Sequence, residues 1–564
     1  MLKTETSDQW WKSAVVYCLD IEKFFDGNDD GVGDIDGLSQ RLDYLAELGV
    51  TCLWLMPLNP TKGRDDGYDI IDYYGVDPRL GDHGDLVELL RTAKDRGMRV
   101  IMDLVVNHTS HQHPWFTAAR SSRDSPYRDY YVWRDEPPED TSDQVVFPDA
   151  EDSLWTYDEK AGQYFLHNFY SEQPDLNITN PAVQQEVAKI IGFWLQLGLD
   201  GFRVDAVPYF IESRGIAPDA SADFSDPHEY LRSLSAFIGR RRGDAILLGE
   251  VNLPYEEQMA FFGGDDADEL TMMFDFELMQ RMYLSLARQD ATEMARTLNR
   301  RPSLKPTRQF ATFVRNHDEL TLDKLSEDER QEVFDAFGPE EEMQLYGRGL
   351  RRRLPPMLDG DPRRLTMVYS LLFALPGTPV LFYGEEIGMG ENLDIPGRLS
   401  VRSPMQWTAG KNGGFSVAKP SALVAPVTVG PYGAEHVNAE DQRYDPDSLL
   451  SFVGQLARRY RECPEVGMGD YEVLASDAPA VLVHRCTWNP FGGGTSSSVL
   501  VHNLAPAATT LTVHVAEVED GTEVLDLFSG ERHTIGQEGR LTLDVGGYGH
   551  HWLRLLLTGD RRLR

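Results

Sequence analysis

Four cysteines in 564 residues are few, and Cys18, Cys52, Cys463 and Cys486 lie far apart. This scatter excludes a disulfide scaffold and a close-paired zinc site, and it fits reduced thiols in a cytosol. Long apolar runs are missing as well. No uninterrupted stretch reaches membrane-spanning length, and the N-terminal MLKTETSDQWWKSAVVY has no basic segment followed by an apolar core. A soluble, unexported, cytoplasmic protein with no membrane partner is therefore expected. Basic residues are scarce, 54 Lys and Arg against 91 Asp and Glu, for a formal charge of −37. That surplus opposes phosphate backbones and excludes nucleic acid as a partner. Most of the acids read as a solvated face, and with 41% apolar and 10% aromatic residues the composition is that of an ordinary globular protein.

The length exceeds one compact core, so two or three domains are expected. Short β-rich runs alternate with amphipathic stretches from the start. Ala14–Leu19 reads as a strand, then Leu38, Leu42, Leu45 and Leu48 share a helical face, Gly49 caps it, and Cys52–Met56 is the next strand. The unit recurs with a helix over 85–96, Gly97 and the buried strand Arg99–Leu104. It recurs again with the Asn180-Pro181 helix start, Gly198 and the strand Gly201–Asp205. Further strands are read at Ala245–Val251, Met272–Phe276, Thr312–Asn316 and Val380–Tyr383.

Eight such units predict an α/β fold, a closed (β/α)8 TIM barrel, with a doubly wound open sheet as the weaker alternative. The barrel takes residues 1–106 and 181–468. The polar and aromatic segment 107–180 reads as a subdomain inserted after the third strand and covering the site. A second excursion, 321–364, carries Arg351-Arg352-Arg353 and reads as a charged, solvated helix. From 469 to 564 the helical period gives way to short strands, which predicts an antiparallel β-sandwich without catalytic chemistry.

In a β/α barrel the reacting groups sit at the C-terminal strand ends. GFRVDA puts Arg203 and Asp205 at the end of the fourth strand, AILLGEV puts Glu250 at the end of the fifth, and FVRNHDE puts His317 and Asp318 after the seventh. Each acid alone reads as a cap or a structural ion pair. Three at one barrel mouth suit glycoside chemistry, in which one carboxylate attacks the anomeric carbon and a second stays protonated to release the leaving oxygen. Arg203, two residues from Asp205 on the same strand face, is expected to keep that acid ionised; Glu250 has no cation beside it in the chain.

DLVVNH (103–108), GFRVDAV (201–207), LLGEV (247–251) and VRNHDE (314–319) closely resemble the successive signature segments of the α-amylase superfamily, glycoside hydrolase family 13. The resemblance runs from about Trp11 to Trp407. It implies a retaining α-glucoside-active enzyme in which Asp205 is the nucleophile, Glu250 the general acid/base, and Asp318 the acid that holds sugar hydroxyls and stabilises the oxocarbenium-like state. It assigns Arg203 to orienting Asp205, and His108 and His317 to hydrogen-bonding the glucose unit. In RDDGYD (64–69), Tyr68 offers a stacking face and Asp65 accepts from terminal hydroxyls. In exo-acting members the counterpart of Asp65 pairs with that of Arg402 in VRSPMQW (401–407), walling off the first subsite; a plain structural salt bridge is the alternative. Phe169 and Gln173 match pocket-lining positions.

DGNDDGVGD (26–34) spaces oxygen ligands Asp26, Asn28, Asp30 and Asp34 among glycines, which suits calcium; a solvated acidic turn is the alternative. The resemblance implies a structural calcium there, with the Val32 carbonyl as a further ligand. It implies a second site at Asn107, Asp175, Tyr209, Phe210 and Glu212.

HQHPWF (111–116), DAVPYF (205–210), RNHDELTL (315–322), RGLRRRLPPMLDGD (348–361) and LPGTPVLFYGEEIGMG (375–390) look like the trehalose synthases of this superfamily, which isomerise maltose to trehalose. Those enzymes usually carry an acid-glycine pair where this chain has Leu399-Ser400, on a loop expected to border the acceptor. An exo-acting α-glucosidase or α-glucosyltransferase is therefore the rival reading, and an inactive sugar-binding relative is the rival of another class. The partner is a small-molecule α-glucoside, and a homo-oligomer is compatible with the sequence.

Overall fold

Eight parallel strands close into a barrel, each at a site where the sequence has a short β-rich run. They are β1 (Val16–Leu19), β2 (Cys52–Leu55), β3 (Arg99–Leu104), β4 (Gly201–Val204), β5 (Ile246–Gly249), β6 (Met272–Phe274), β7 (Gln309–Phe313) and β8 (Thr378–Phe382). The order around the barrel is sequential, with β8 returning to β1. The computed structural model describes residues 8–137, 140–211, 226–490 and 494–557. Every residue of β1, β2, β4, β5, β6, β7 and β8 is buried, as strands between a packed interior and a shell of helices must be.

The helices between strands start and stop where local chemistry dictates. α1 (His83–Asp95) begins with a capping box between Asp82 and Asp85. α2 (Pro181–Leu197) has Asn180 accepting from the Ala182 amide, Pro181 in its first turn, and Gly198 at φ 128° to end it. It buries Val183, Val187, Ile190, Ile191, Trp194 and Leu195, an i, i+4, i+7 stripe that packs the helix on the barrel.

Two boundaries differ from the sequence reading. β7 lies three residues earlier than expected, because Arg315 and Asn316 belong to a bend in which Arg315 donates to the Arg352 and Asp318 carbonyls. β6 stops at Phe274, where Asp275 caps the next helix by accepting from the Leu278 amide.

The segment after β3 forms a three-stranded sheet of Trp133–Arg134, Gln163–Leu166 and Trp155–Asp158 around Val132, Leu154, Trp155 and Leu166. The excursion after β7 is not one solvated helix. It contains a helix, Glu327–Phe337, and a small sheet of Leu320–Thr321, Gly349–Leu350 and Gln344–Leu345. Its three arginines turn inward: Arg353 is 2% exposed and donates to the Val401 and Tyr383 carbonyls, while Arg351 and Arg352 reach Leu393 O and Glu391. At the C-terminus a six-stranded antiparallel sheet and a two-stranded antiparallel sheet of Thr509–His514 and Arg540–Val545 enclose their own apolar core. The sheet docks on the barrel helix α3 (Pro362–Ala374), where Ser370 Oγ receives the Trp552 indole N–H and meets His502 Nε2, both at 3.0 Å.

Candidate active site

Asp103 and Arg203 face each other across β3 and β4 as strand partners, and the guanidinium lies 2.6 Å from Asp103 Oδ1. The same nitrogen lies 2.5 Å from Asp205 Oδ1, and the other terminal nitrogen lies 2.8 Å from Glu250 Oε2. One buried cation thus joins the ends of three adjacent strands. Glu250 Oε2 also accepts from the Ala206 amide at 3.1 Å. Ala206 adopts φ 47°, a left-handed conformation that a non-glycine residue enters only where its surroundings enforce it.

The sequence shows no cation beside Glu250, but folding supplies one. Burial still dominates: it raises Glu250 to about 7, against Arg203 and with help from Asp205 and Asp318. Asp205 is likewise raised by burial to about 6, with Arg203 opposing. Arg203 therefore moderates the Asp205 carboxyl rather than holding it at its ordinary value. The order survives, with Asp205 giving up its proton before Glu250, as a nucleophile and a general acid require.

Asp318 behaves differently. Burial pushes it upward, but His317, Arg398 and Arg402 outweigh burial and hold it well below the usual carboxylate range. Its oxygens meet His317 Nε2 at 3.0 Å, Arg398 at 2.6 Å and Arg402 at 3.0 Å. His317 and His108 are both lowered to about 4 by burial, so each is a neutral imidazole at pH 7. His317 stands 2.8 Å from the Tyr68 hydroxyl, and His108 Nε2 is 3.2 Å from Gln173, which donates to Asp65 at 3.0 Å.

These groups surround a cavity of about 350 Å³. Asp65, Tyr68, His108, Phe169, Asp205, Glu250 and Asp318 line it, while Gln173, Arg203, His317 and Arg402 stand one layer behind and hold the lining groups. The expected Asp65–Arg402 pair does not form. Arg402 is fully buried and pairs with Asp66 and Asp318; Asp65 is taken by Arg398, which also reaches Asp318. The arginine beside Asp65 at the cavity wall is thus Arg398, four residues ahead of the one in the sequence reading. Ser400 is buried and turned to the Arg351 carbonyl at 3.0 Å, so of residues 398–400 only Arg398 lines the cavity.

Sequence reasoning missed Asp103, Asp66 and Arg398. Asp103 had a visible signal: it is an acid inside the apolar run of β3, on the face that Ile101 shares. It missed the outer wall too, where Asn252, Glu319, Asp323 and Arg348 line the cavity together with residues 144–147 of the inserted segment. Arg348 donates to the Val146 carbonyl at 2.7 Å and lies 3.4 Å from Glu319. Phe147 is 2% exposed, stacks on Tyr170 at 4.5 Å and packs beneath the Arg398 guanidinium.

In the 26–34 loop, Asp26 accepts from the amides of Asn28, Asp29, Asp30 and Gly31, and Asp34 accepts from Gly27 and Gly37. Among the described residues no three acidic, His or Cys side chains converge as metal ligands. The donors are nonetheless hard oxygens of the kind calcium takes, and Asn28 and Asp30 are exposed. At the second site, Asn107 donates to Asp175 at 3.1 Å, Asn168 Oδ1 is buried with no partner among the described residues, and burial raises Asp175 to about 8. Tyr209 and Phe210 lie in the short helix Val207–Ile211, and Glu212 lies outside the described residues.

A β/α barrel with three carboxylates sharing one arginine at its mouth defines a glycoside-active enzyme. The chain belongs to the α-amylase family of glycoside hydrolases and transglycosidases: the alpha amylase catalytic domain matches residues 20–335 and 352–466, and the C-terminal domain of sucrose hydrolase-like proteins matches 496–554. The trehalose synthase of Pimelobacter sp. (strain R48) is 38% identical over 555 residues, spanning 97% of this chain and 96% of that one. The trehalose synthase/amylase of Mycobacterium tuberculosis (strain ATCC 25618 / H37Rv) is 38% identical over 550 residues, spanning 97% and 90%. Among solved structures, a trehalulose synthase variant in complex with Tris has a TM-score of 0.74 at 26% identity, with 97% of this chain and 100% of that one covered.

Proposed function

We propose that the enzyme interconverts maltose and trehalose through a glucosyl-enzyme intermediate. Asp205, ionised beside Arg203, attacks the anomeric carbon while Glu250 gives its proton to the leaving oxygen, freeing the second glucose. Asp318, kept ionised by Arg398 and Arg402, accepts hydrogen bonds from the sugar hydroxyls and faces the positive charge that develops on the ring. The freed glucose then turns, and Glu250 removes a proton from the hydroxyl that re-attacks.

The observation that favours isomerisation over hydrolysis is the tie across the outer wall of the cavity. Arg348 ties the lid at Val146 to the strand-end loop at Glu319, and Phe147 is packed under Arg398. Such a lid keeps water from the intermediate and the freed glucose in place. Product analysis on maltose, trehalose, sucrose and isomaltose tests the reading: trehalose as the main product from maltose supports it, and glucose alone supports an exo-acting α-glucosidase.

A structural calcium belongs to the same proposal. Asp26, Asn28, Asp30, Asp34 and the Val32 carbonyl would hold it in the first loop, supported by their oxygen chemistry; the second set is supported by the high Asp175 and the unpartnered Asn168 Oδ1. The ion supplies charge that stiffens these loops and takes no part in bond making. A cytosolic location is proposed as well, supported by four buried, unbridged cysteines. Among the described residues no helix is long and apolar enough to cross a membrane.

A further inference from the structure

The short helix Ile21–Phe24, which follows β1, carries a charge that glycoside chemistry does not call for. Lys23 is 4% exposed. Its ammonium lies 2.6 Å from Asp20 Oδ2 and 2.7 and 2.8 Å from the two oxygens of Asp66. On its other side Asp66 is held by Arg402 at 2.8 Å, and Arg402 donates to the His317 carbonyl at 2.7 Å and to Asp318 Oδ1 at 3.0 Å. Asp20, Lys23, Asp66, Arg402 and Asp318 therefore form one buried row of alternating charge, and of the five only Asp318 lines the cavity.

A buried ion is tolerated only while its neighbours answer it, and apolar residues in place of the whole Asp20, Lys23 and Asp66 group would serve stability alone at least as well. The groups facing Lys23 are Asp20, Glu22, Asp66 and the Tyr383 hydroxyl; Glu22 is in turn paired with Arg79. Burial opposes the ammonium, but Asp20, Asp66 and Glu22 outweigh it and keep it charged. Burial also raises Asp66, yet Lys23 and Arg402 hold that carboxylate far down.

We propose that Lys23 is a positioning residue for the reaction: by answering one side of Asp66 it leaves Arg402 shared between Asp66 and Asp318, and so sets the place and charge of Asp318 against the sugar. Without the ammonium, Asp66 draws the Arg402 guanidinium toward itself. Asp318 then loses a hydrogen bond and part of the positive field that keeps it ionised. The proposal rests on Asp318 meeting the substrate, as in the function proposed above.

The test measures kcat, KM and the pH profile on p-nitrophenyl α-glucoside, a substrate that reports glucosyl transfer to the enzyme whatever the later product. Lys23→Met lowers kcat roughly 10- to 100-fold with little change in KM, while the acid limb stays with Asp205. Lys23→Arg recovers most of the loss. Should Lys23→Met fail to fold, Lys23→Met with Asp20→Asn removes the neighbouring excess charge while keeping an acceptor for the Glu22 amide, and the same kinetic change is expected. A folded variant lacking Lys23 with wild-type kcat overturns the proposal, as does a loss of kcat that Arg does not rescue or a loss that falls on KM instead of kcat. Asp205→Asn is the control. If it remains active, the reading of the site itself fails; if it is dead while Lys23 variants behave as wild type, only the role of Lys23 fails.

Discussion

Arg203 lies 2.8 Å from Glu250, so the proposed general acid and the proposed nucleophile, Asp205, share one guanidinium. Burial raises both acids, Asp205 to about 6 and Glu250 to about 7. Catalysis needs Asp205 without its proton and Glu250 with it. Activity is therefore lost as pH falls through about 6 and again as it rises through about 7, giving a narrow bell in kcat/KM for the free enzyme. A profile flat from pH 5 to 9 would contradict these environments.

Arg398 bridges Asp65 and Asp318 at the cavity wall, where the proposed function puts the first subsite. Arg398→Ala removes a bidentate link between two buried acids and is expected to lower kcat/KM for maltose by about 100-fold or more. Arg398→Lys should recover little, because an ammonium cannot span both carboxylates with the geometry of a planar fork. Steady-state kinetics on the two variants check this, and near-wild-type values for Arg398→Ala would refute it.

Arg348 joins Val146 of the inserted segment to Glu319, the contact that the proposed function uses as a lid fastening. Arg348→Ala should admit water, so the ratio of glucose to trehalose formed from maltose rises several-fold while total consumption changes less. Chromatography of the products at early times reads this directly. An unchanged ratio in a folded variant would remove the lid from the account of isomerisation.

A chelator should lower the melting temperature, and calcium should restore it, since an ion bound only by the folded loops stabilises by mass action. An unchanged melting temperature, together with no metal by elemental analysis, would remove both proposed calcium sites.

Most of the barrel was legible because each strand is an apolar run beside a helix whose stops are local, as at Asn180-Pro181 and Gly198. Asp205, Glu250 and Asp318 were legible because a barrel brings strand ends to one mouth. The partner of Asp65 was not: Arg398 and Arg402 lie on one turn-rich loop, and only tertiary packing decides which of them reaches which acid. The inward turn of Arg351, Arg352 and Arg353 was hidden for a similar reason, since their acceptors are backbone carbonyls and a carboxylate supplied by distant segments. Leu399-Ser400 looked important by its change of residue type, yet Ser400 bonds away from the cavity.

The central claim is that Asp205 carries the glucosyl group between cleavage and re-formation of the bond. Trapping with 5-fluoro-α-glucosyl fluoride, followed by digestion and mass spectrometry, tests it most directly. One added fluoroglucosyl group is expected on the peptide containing Asp205, with fragment ions placing it on that residue. Label on Glu250 or Asp318, or inactivation with no covalent adduct, would contradict it.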